Sequence, residues 1–275
     1  MDQVPATATW RENLNTVIAL VALVQPWLLW LWLKFFRRGN IEIFETGTVE
    51  VGSSNYGPTI GLQGTLHGRE REMFVRVISL EVIREADNAQ HHFEWVAFRS
   101  FRIVSTRPTE VAFQLPAGFL LLPSQPFRYN LFFSATAFQQ QHVQPVIDVL
   151  YAAWYVAVQQ SFGGAALSNI PDVAQAQVQA AAQAAYPGFV GHMAHVNAFA
   201  QLNQQFYWNP GWYRLSMRIE TTSPERTVTK RWRFQLTQAQ SNSLRGNGLK
   251  VVQEVCSQYI GQYYFANAPY LPPAA

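Results

Sequence analysis

The sequence predicts an α+β protein: an N-terminal transmembrane helix, an Ig-like antiparallel β-sandwich, and a C-terminal part built of helices and a β-hairpin. Three observations predict it. An apolar run of about 23 residues opens the chain at Leu14 to Phe36, long enough for roughly 30 Å of hydrocarbon. Short alternating runs fill 41–135, the pattern of half-buried strands. From Gln139 to Gln205 the chain turns rich in Ala and Gln, with helical spacing. The implied boundaries are a tail at 1–13, the helix at 14–36, the sandwich at 40–136, the C-terminal part at 137–268 and a Pro-rich tail at 269–275.

The opening run, "LNTVIALVALVQPWLLWLWLKFF", holds one break at Gln25-Pro26, where proline frees a carbonyl one turn back. Trp27, Trp30 and Trp32 then crowd one end as an interfacial aromatic belt, and Lys34 can snorkel. A signal peptide carries its cations before a short core, whereas here Lys34, Arg37 and Arg38 follow a long one. Lys and Arg favour the cytoplasmic side, so the body is expected in the cytoplasm, with a periplasmic or extracellular body as the alternative. The bilayer is the first expected partner.

Seven runs make the sandwich: "IEIFETGTVEV", "TIGLQGTL", "MFVRVISLEVI", "HHFEWVAFRSFRIV", "EVAFQL", "GFLLLP" and "FRYNLFFSA". Gly61 and Gly64 are candidate bulges. The immunoglobulin cysteine pair is missing, so only the architecture is implied.

His142 to Gln160 is apolar nearly all round, yet Asp148 and its length favour a buried helix over a second crossing. Pro171 and Asp172 suit a helix start, and Tyr186-Pro187-Gly188 suits its end. Phe189, Met193, Val196, Phe199 and Phe206 read as the apolar stripe of the next helix. The final helix is expected to break at Gly246-Asn247-Gly248.

Composition narrows the chemistry. Of 275 residues, 49% are hydrophobic, 14% aromatic and only 13% charged, which speaks against general disorder. The net charge of +3 says little about partners. One cysteine, Cys256, excludes an intrachain disulfide and a Cys-based zinc cage; its apolar neighbours Val252 and Val255 mark it as a buried thiol. No glycosylation sequon, Gly-x-Gly-x-x-Gly or Walker pattern is present, and the sparse acids nominate no general acid–base pair.

Two constellations remain. "GWYRLSMRIETT" and "RTVTKRWRFQLT" flank the turn "SPER", placing Tyr213, Leu215, Met217 and Ile219 on one face of their strand, with Val228, Trp232, Phe234 and Leu236 on one face of the other. The opposite faces carry Trp212, Arg214, Arg218, Arg231 and Arg233, four arginines together. They suit an anionic membrane surface better than nucleic acid, because the anchor holds the domain beside lipid and base-stacking sheet motifs are missing. The default reading is a solvated outer face offset by Glu220 and Glu225. His192 and His195 stand three apart on a helix and need a third ligand, from His142 or Asp148, to hold a metal. Lacking any Glu-x-x-His or His-Glu-x-x-His spacing, they read as polar neighbours of the stripe, and no metal or cofactor is expected.

The expected function is therefore a single-pass membrane protein whose β-rich body binds or scaffolds another protein or itself, without chemistry of its own. A membrane-tethered metal-dependent hydrolase and an extracytoplasmic binding module are the alternatives.

Overall fold

A computed structural model describes residues 6–35, 39–104, 107–161, 175–222, 224–258, 263–269 and 271. Helix α1 (Ala6–Phe35) comes first, with Pro26 inside it. Strands β1 (Asn40–Ser54), β2 (Gly57–Arg69), β3 (Met73–Arg84), β4 (Gln90–Val104), β5 (Arg107–Gln114), β6 (Phe119–Leu121) and β7 (Phe127–Ser134) follow, one for each of the seven runs. Helical residues come next: α2 (Thr136–Phe138), a π-helical turn (Gln139–Val143), α3 (Gln144–Ser161), α4 (Gln175–Phe189) and α5 (Met193–Gln204). The chain closes with β8 (Gly211–Thr222), β9 (Glu225–Leu236), α6 (Gln238–Arg245), α7 (Asn247–Val255) and β10 (Phe265–Pro269).

The strands form one curled antiparallel sheet, a half-barrel, rather than two facing immunoglobulin-like sheets. Its order is β10-β1-β2-β7-β4-β3-β8-β9, with β5 added to β4 and β6 to β3. The two ends of this order meet at one bridge. There Arg233 N–H donates to the Leu271 carbonyl at 2.9 Å and Leu271 N–H donates back at 2.7 Å.

Alternation within each strand sets the concave face, and bulges switch it. Met73 and Val75 are buried; after a slip between Val75 and Val77, the buried set becomes Ile78, Leu80 and Val82. In β1 the slip falls between Glu45 and Val49, opposite Gly64. The expected glycine bulges thus give way to one on the partner strand. Gly64 instead allows close approach, since a Cβ there would meet the Tyr129 hydroxyl at 2.5 Å. Ile60, Leu62, Phe93, Phe133, Leu215 and Phe234 fill the interior with no exposed surface.

The half-barrel has two distinct ends. At one, Gly39 leads into β1 and lies against Met73, and Arg226 donates to the Gly39 carbonyl. At the other, the segment before β8 plugs the opening. Trp208 donates its indole N–H to the Gly52 carbonyl at 2.6 Å, Ser241 donates to the Trp208 carbonyl at 2.7 Å, and Tyr213 donates to the Asn209 carbonyl at 2.6 Å. Tyr213 also stacks on Phe234 at 5.2 Å.

Helices α3, α4, α5 and α7 build a second core from Val146, Leu150, Trp154, Val158, Phe189, Val252 and Cys256. Burial pushes the Cys256 thiol up to about 12. The C-terminal helix breaks at Gly246, between α6 and α7. Pro171 and Asp172 lie outside the described residues.

Two further expectations need correction. The stripe on α5 is rotated: His195 and Ala198 are buried, whereas Met193 is 69% exposed and Val196 and Phe199 face outward. Small Ala194 and Ala198 let α5 approach its neighbours closely, so size rather than hydropathy chose the inner face. The crossing helix over 14–36 is not supported either. Among the described residues no helix is long and apolar enough to cross a membrane.

Candidate binding site

The hairpin β8–β9 alternates, so its inner residues fix where its arginines go. Tyr213, Leu215, Met217 and Ile219 are fully buried, as are Trp232, Phe234 and Leu236 nearly so. Trp212, Arg214, Ser216, Arg218 and Glu220 therefore face outward, with Arg231 and Arg233 beside them. Register places Arg214 opposite Arg233 and Ser216 opposite Arg231. Strand β3 extends the face on the other side, with Ile83 opposite Arg214, Glu81 opposite Ser216 and Ser79 opposite Arg218. Strand β4 adds His92 opposite Glu81 and Glu94 opposite Ser79. Four strands thus present one polar outer face, with most of its cations on β8–β9 and its acids spread over β3, β4 and β8.

Two carboxylates hold most of the cations. Glu85 accepts from Arg233 twice, at 3.0 and 2.7 Å, and lies 3.8 Å from Arg214. Glu220 pairs with Arg76 at 2.7 Å and with Arg218 at 3.0 Å. The Arg76 hydrogen bond is the main reason that the Glu220 carboxyl sits below its usual range. Sharing leaves donors over: the side chains of Arg76, Arg214 and Arg218 remain 59%, 52% and 57% exposed. Arg233 differs, being 24% exposed and stacked 4.2 Å over the Trp212 ring. Arg231 is exposed and has no ion pair among the described residues. An open cleft of about 290 Å³ adjoins the face, lined by Arg76, Ser79, His92, Glu94, Trp95 and Gly118. Such a surface can accept anionic groups through free guanidinium donors.

No protein family matches this chain, and no curated protein or solved structure does either. The reading of the site therefore rests on its own residues.

The four candidate metal ligands do not converge. His192 caps α5, its Nδ1 accepting from the Ala194 N–H at 3.2 Å, and its ring stacks on Phe189 at 5.2 Å. His195 is buried between Tyr186 and Phe189, and desolvation lowers its pKa. His142 packs on Phe138, and Asp148 accepts from Gln144 at 2.7 Å. Among the described residues, no group of three His, Cys, Asp or Glu side chains could hold a metal ion.

On α1, Trp27 and Trp30 meet edge to face at 6.2 Å, and Trp32 is exposed. The side chains of Lys34, Arg37 and Arg38 lie outside the described residues. Sequence reasoning missed Arg76 and Glu85, because their roles depend on β3 lying beside β8. Glu225, expected to offset the arginines, takes no part in the described pairs.

Proposed function

We propose that this protein is a bilayer-anchored binding module. Lipid surrounds α1, and the arginine face of the half-barrel receives an anionic partner without chemistry of its own. The observation that carries the reading is the surface of α1. Val17, Ile18, Leu20, Val21, Leu23, Leu28 and Leu29 are all exposed, Leu23 at 71% and Trp27 at 65%. A helix apolar on every side needs apolar surroundings on every side, which hydrocarbon supplies and a single protein groove does not. Embedding, rather than a complete crossing, is what the reading requires. Lys34, Arg37 and Arg38 at the C-terminal end of the apolar run can meet lipid phosphates at the interface. The sharing of two carboxylates among four arginines supports an acidic partner surface, such as a carboxylate-rich segment of another protein.

The test is alkaline carbonate washing of membranes from cells making the full chain, followed by flotation. The protein is expected to float with the lipid; recovery in the wash supernatant would overturn the reading.

A further inference from the structure

We infer that the outer surface around β3 and β6 is a second bilayer contact, where Phe74, Leu120 and Leu115 rest in the lipid interface. This inference rests on the reading of α1 as lipid-embedded. Phe74 and Leu120 are cross-strand partners, and both point away from the core, 39% and 49% exposed. Leu115 is 85% exposed. Gly118 crosses directly over the Phe74 ring, since a Cβ there would meet Phe74 Cζ at 2.5 Å. The loop thereby keeps the ring in place. Phe74 and Leu120, side by side on the outside of the sheet with exposed Leu115 in the loop segment before β6, give this side an apolar character that suits an interaction surface.

The geometry of the tether says what covers it. Helix α1 ends at Phe35, and four residues later Gly39 is fixed against the barrel: a Cβ on it would lie 2.9 Å from Met73 Sδ. Four residues span at most about 14 Å. Phe74 is the residue after Met73, so the β3 part of this surface adjoins the point where α1 is tethered to the half-barrel. A lipid-embedded α1 holds this end of the half-barrel at headgroup level. Charge beside this surface is paired: Arg69 and Arg71 alternate with Glu70 and Glu72, Arg69 pairs with Glu42 at 2.8 Å and Arg76 with Glu220 at 2.7 Å. The contact is therefore driven by apolar burial and does not require anionic lipid.

The experiment places a single environment-sensitive label on the full chain, in a Cys256→Ala background, at Leu23→Cys, Phe74→Cys, Leu120→Cys or Thr229→Cys. Each protein is reconstituted in phosphatidylcholine vesicles carrying nitroxide on the headgroup or along the acyl chain. Acyl-chain nitroxide is expected to quench the label at position 23. Headgroup nitroxide is expected to quench positions 74 and 120 at least threefold more than 229, equally at low and high salt. Quenching at 74 and 120 no greater than at 229, with position 23 quenched, overturns the inference and leaves the anchor standing. Blue-shifted but unquenched emission at 74 and 120 reveals a protein contact there and also overturns it. Absence of quenching at 23 removes the anchor and this inference with it.

Discussion

Arg99 on β4 reaches Glu50 on β1 at 2.5 Å, although β7 and β2 lie between those strands. Its path runs over Asn130, which accepts from Nε at 3.4 Å, and over the Phe132 ring at 5.1 Å. Gly61 on β2 leaves the room, because a Cβ there would overlap Arg99 Nη2. One side chain thus ties four strands on the convex face.

Replacing Gly61 by Ala is expected to displace the guanidinium from its carboxylate. The Arg99 side chain is only 6% exposed, so breaking the pair costs about 3 kcal/mol. Chemical denaturation of the detergent-solubilised chain measures it. Arg99→Met, which removes the charge but keeps the stem, should relieve the clash, so that Gly61→Ala adds little to it.

Cys256 is expected to resist thiol reagents in the native protein. Burial in the helical core keeps it protonated, and thiolate is the reactive form. Iodoacetamide at pH 8 should label it only after denaturant is added; rapid native labelling would contradict this packing.

Two arginines on the same face should behave differently. Arg233→Ser removes a bidentate pair and a stacked cation, costing about 1–2 kcal/mol. Arg214→Ser, at a more exposed position 3.8 Å from its carboxylate, should stay within about 0.5 kcal/mol. Thermal midpoints of the two variants decide it. Charge reversal at exposed Arg231 should leave stability unchanged while reducing recovery of an acidic partner in crosslinking from membranes.

Acid should loosen the helical layer through His195. Its folded pKa lies below the ordinary value of 6.5 because burial disfavours the imidazolium. The unfolded chain therefore takes up the proton first as pH falls. The stabilisation is present above about pH 6.5 and is lost on acidification below it. His195→Leu should show a shallower fall of thermal midpoint between pH 7 and 5 than the native chain.

Much of this arrangement was legible because alternation survives in the strands. Tyr213, Leu215, Met217 and Ile219 were assigned inward from spacing alone, and all are buried. Strand partners were not legible. Spacing tells which way Arg214 points, yet not that β3 brings Glu85 beside it, a contact between residues far apart in the chain. The single sheet was hidden for the same reason: β10 pairs with β1 across more than two hundred residues. On α5 the hydropathy pattern misled, since a close helix contact selected Ala194 and Ala198 over Met193 and Phe199.

The two ends of the half-barrel give the molecule a direction. Strand β2 runs from the plugged end to the α1 end over 13 residues, about 40 Å at 3.3 Å per residue before tilt. On the proposed placement of α1 in lipid, the sheet would act as a rigid pedestal that sets the helical layer apart from the headgroups. A partner meeting those helices would then stand off from the bilayer by a distance that strand length sets.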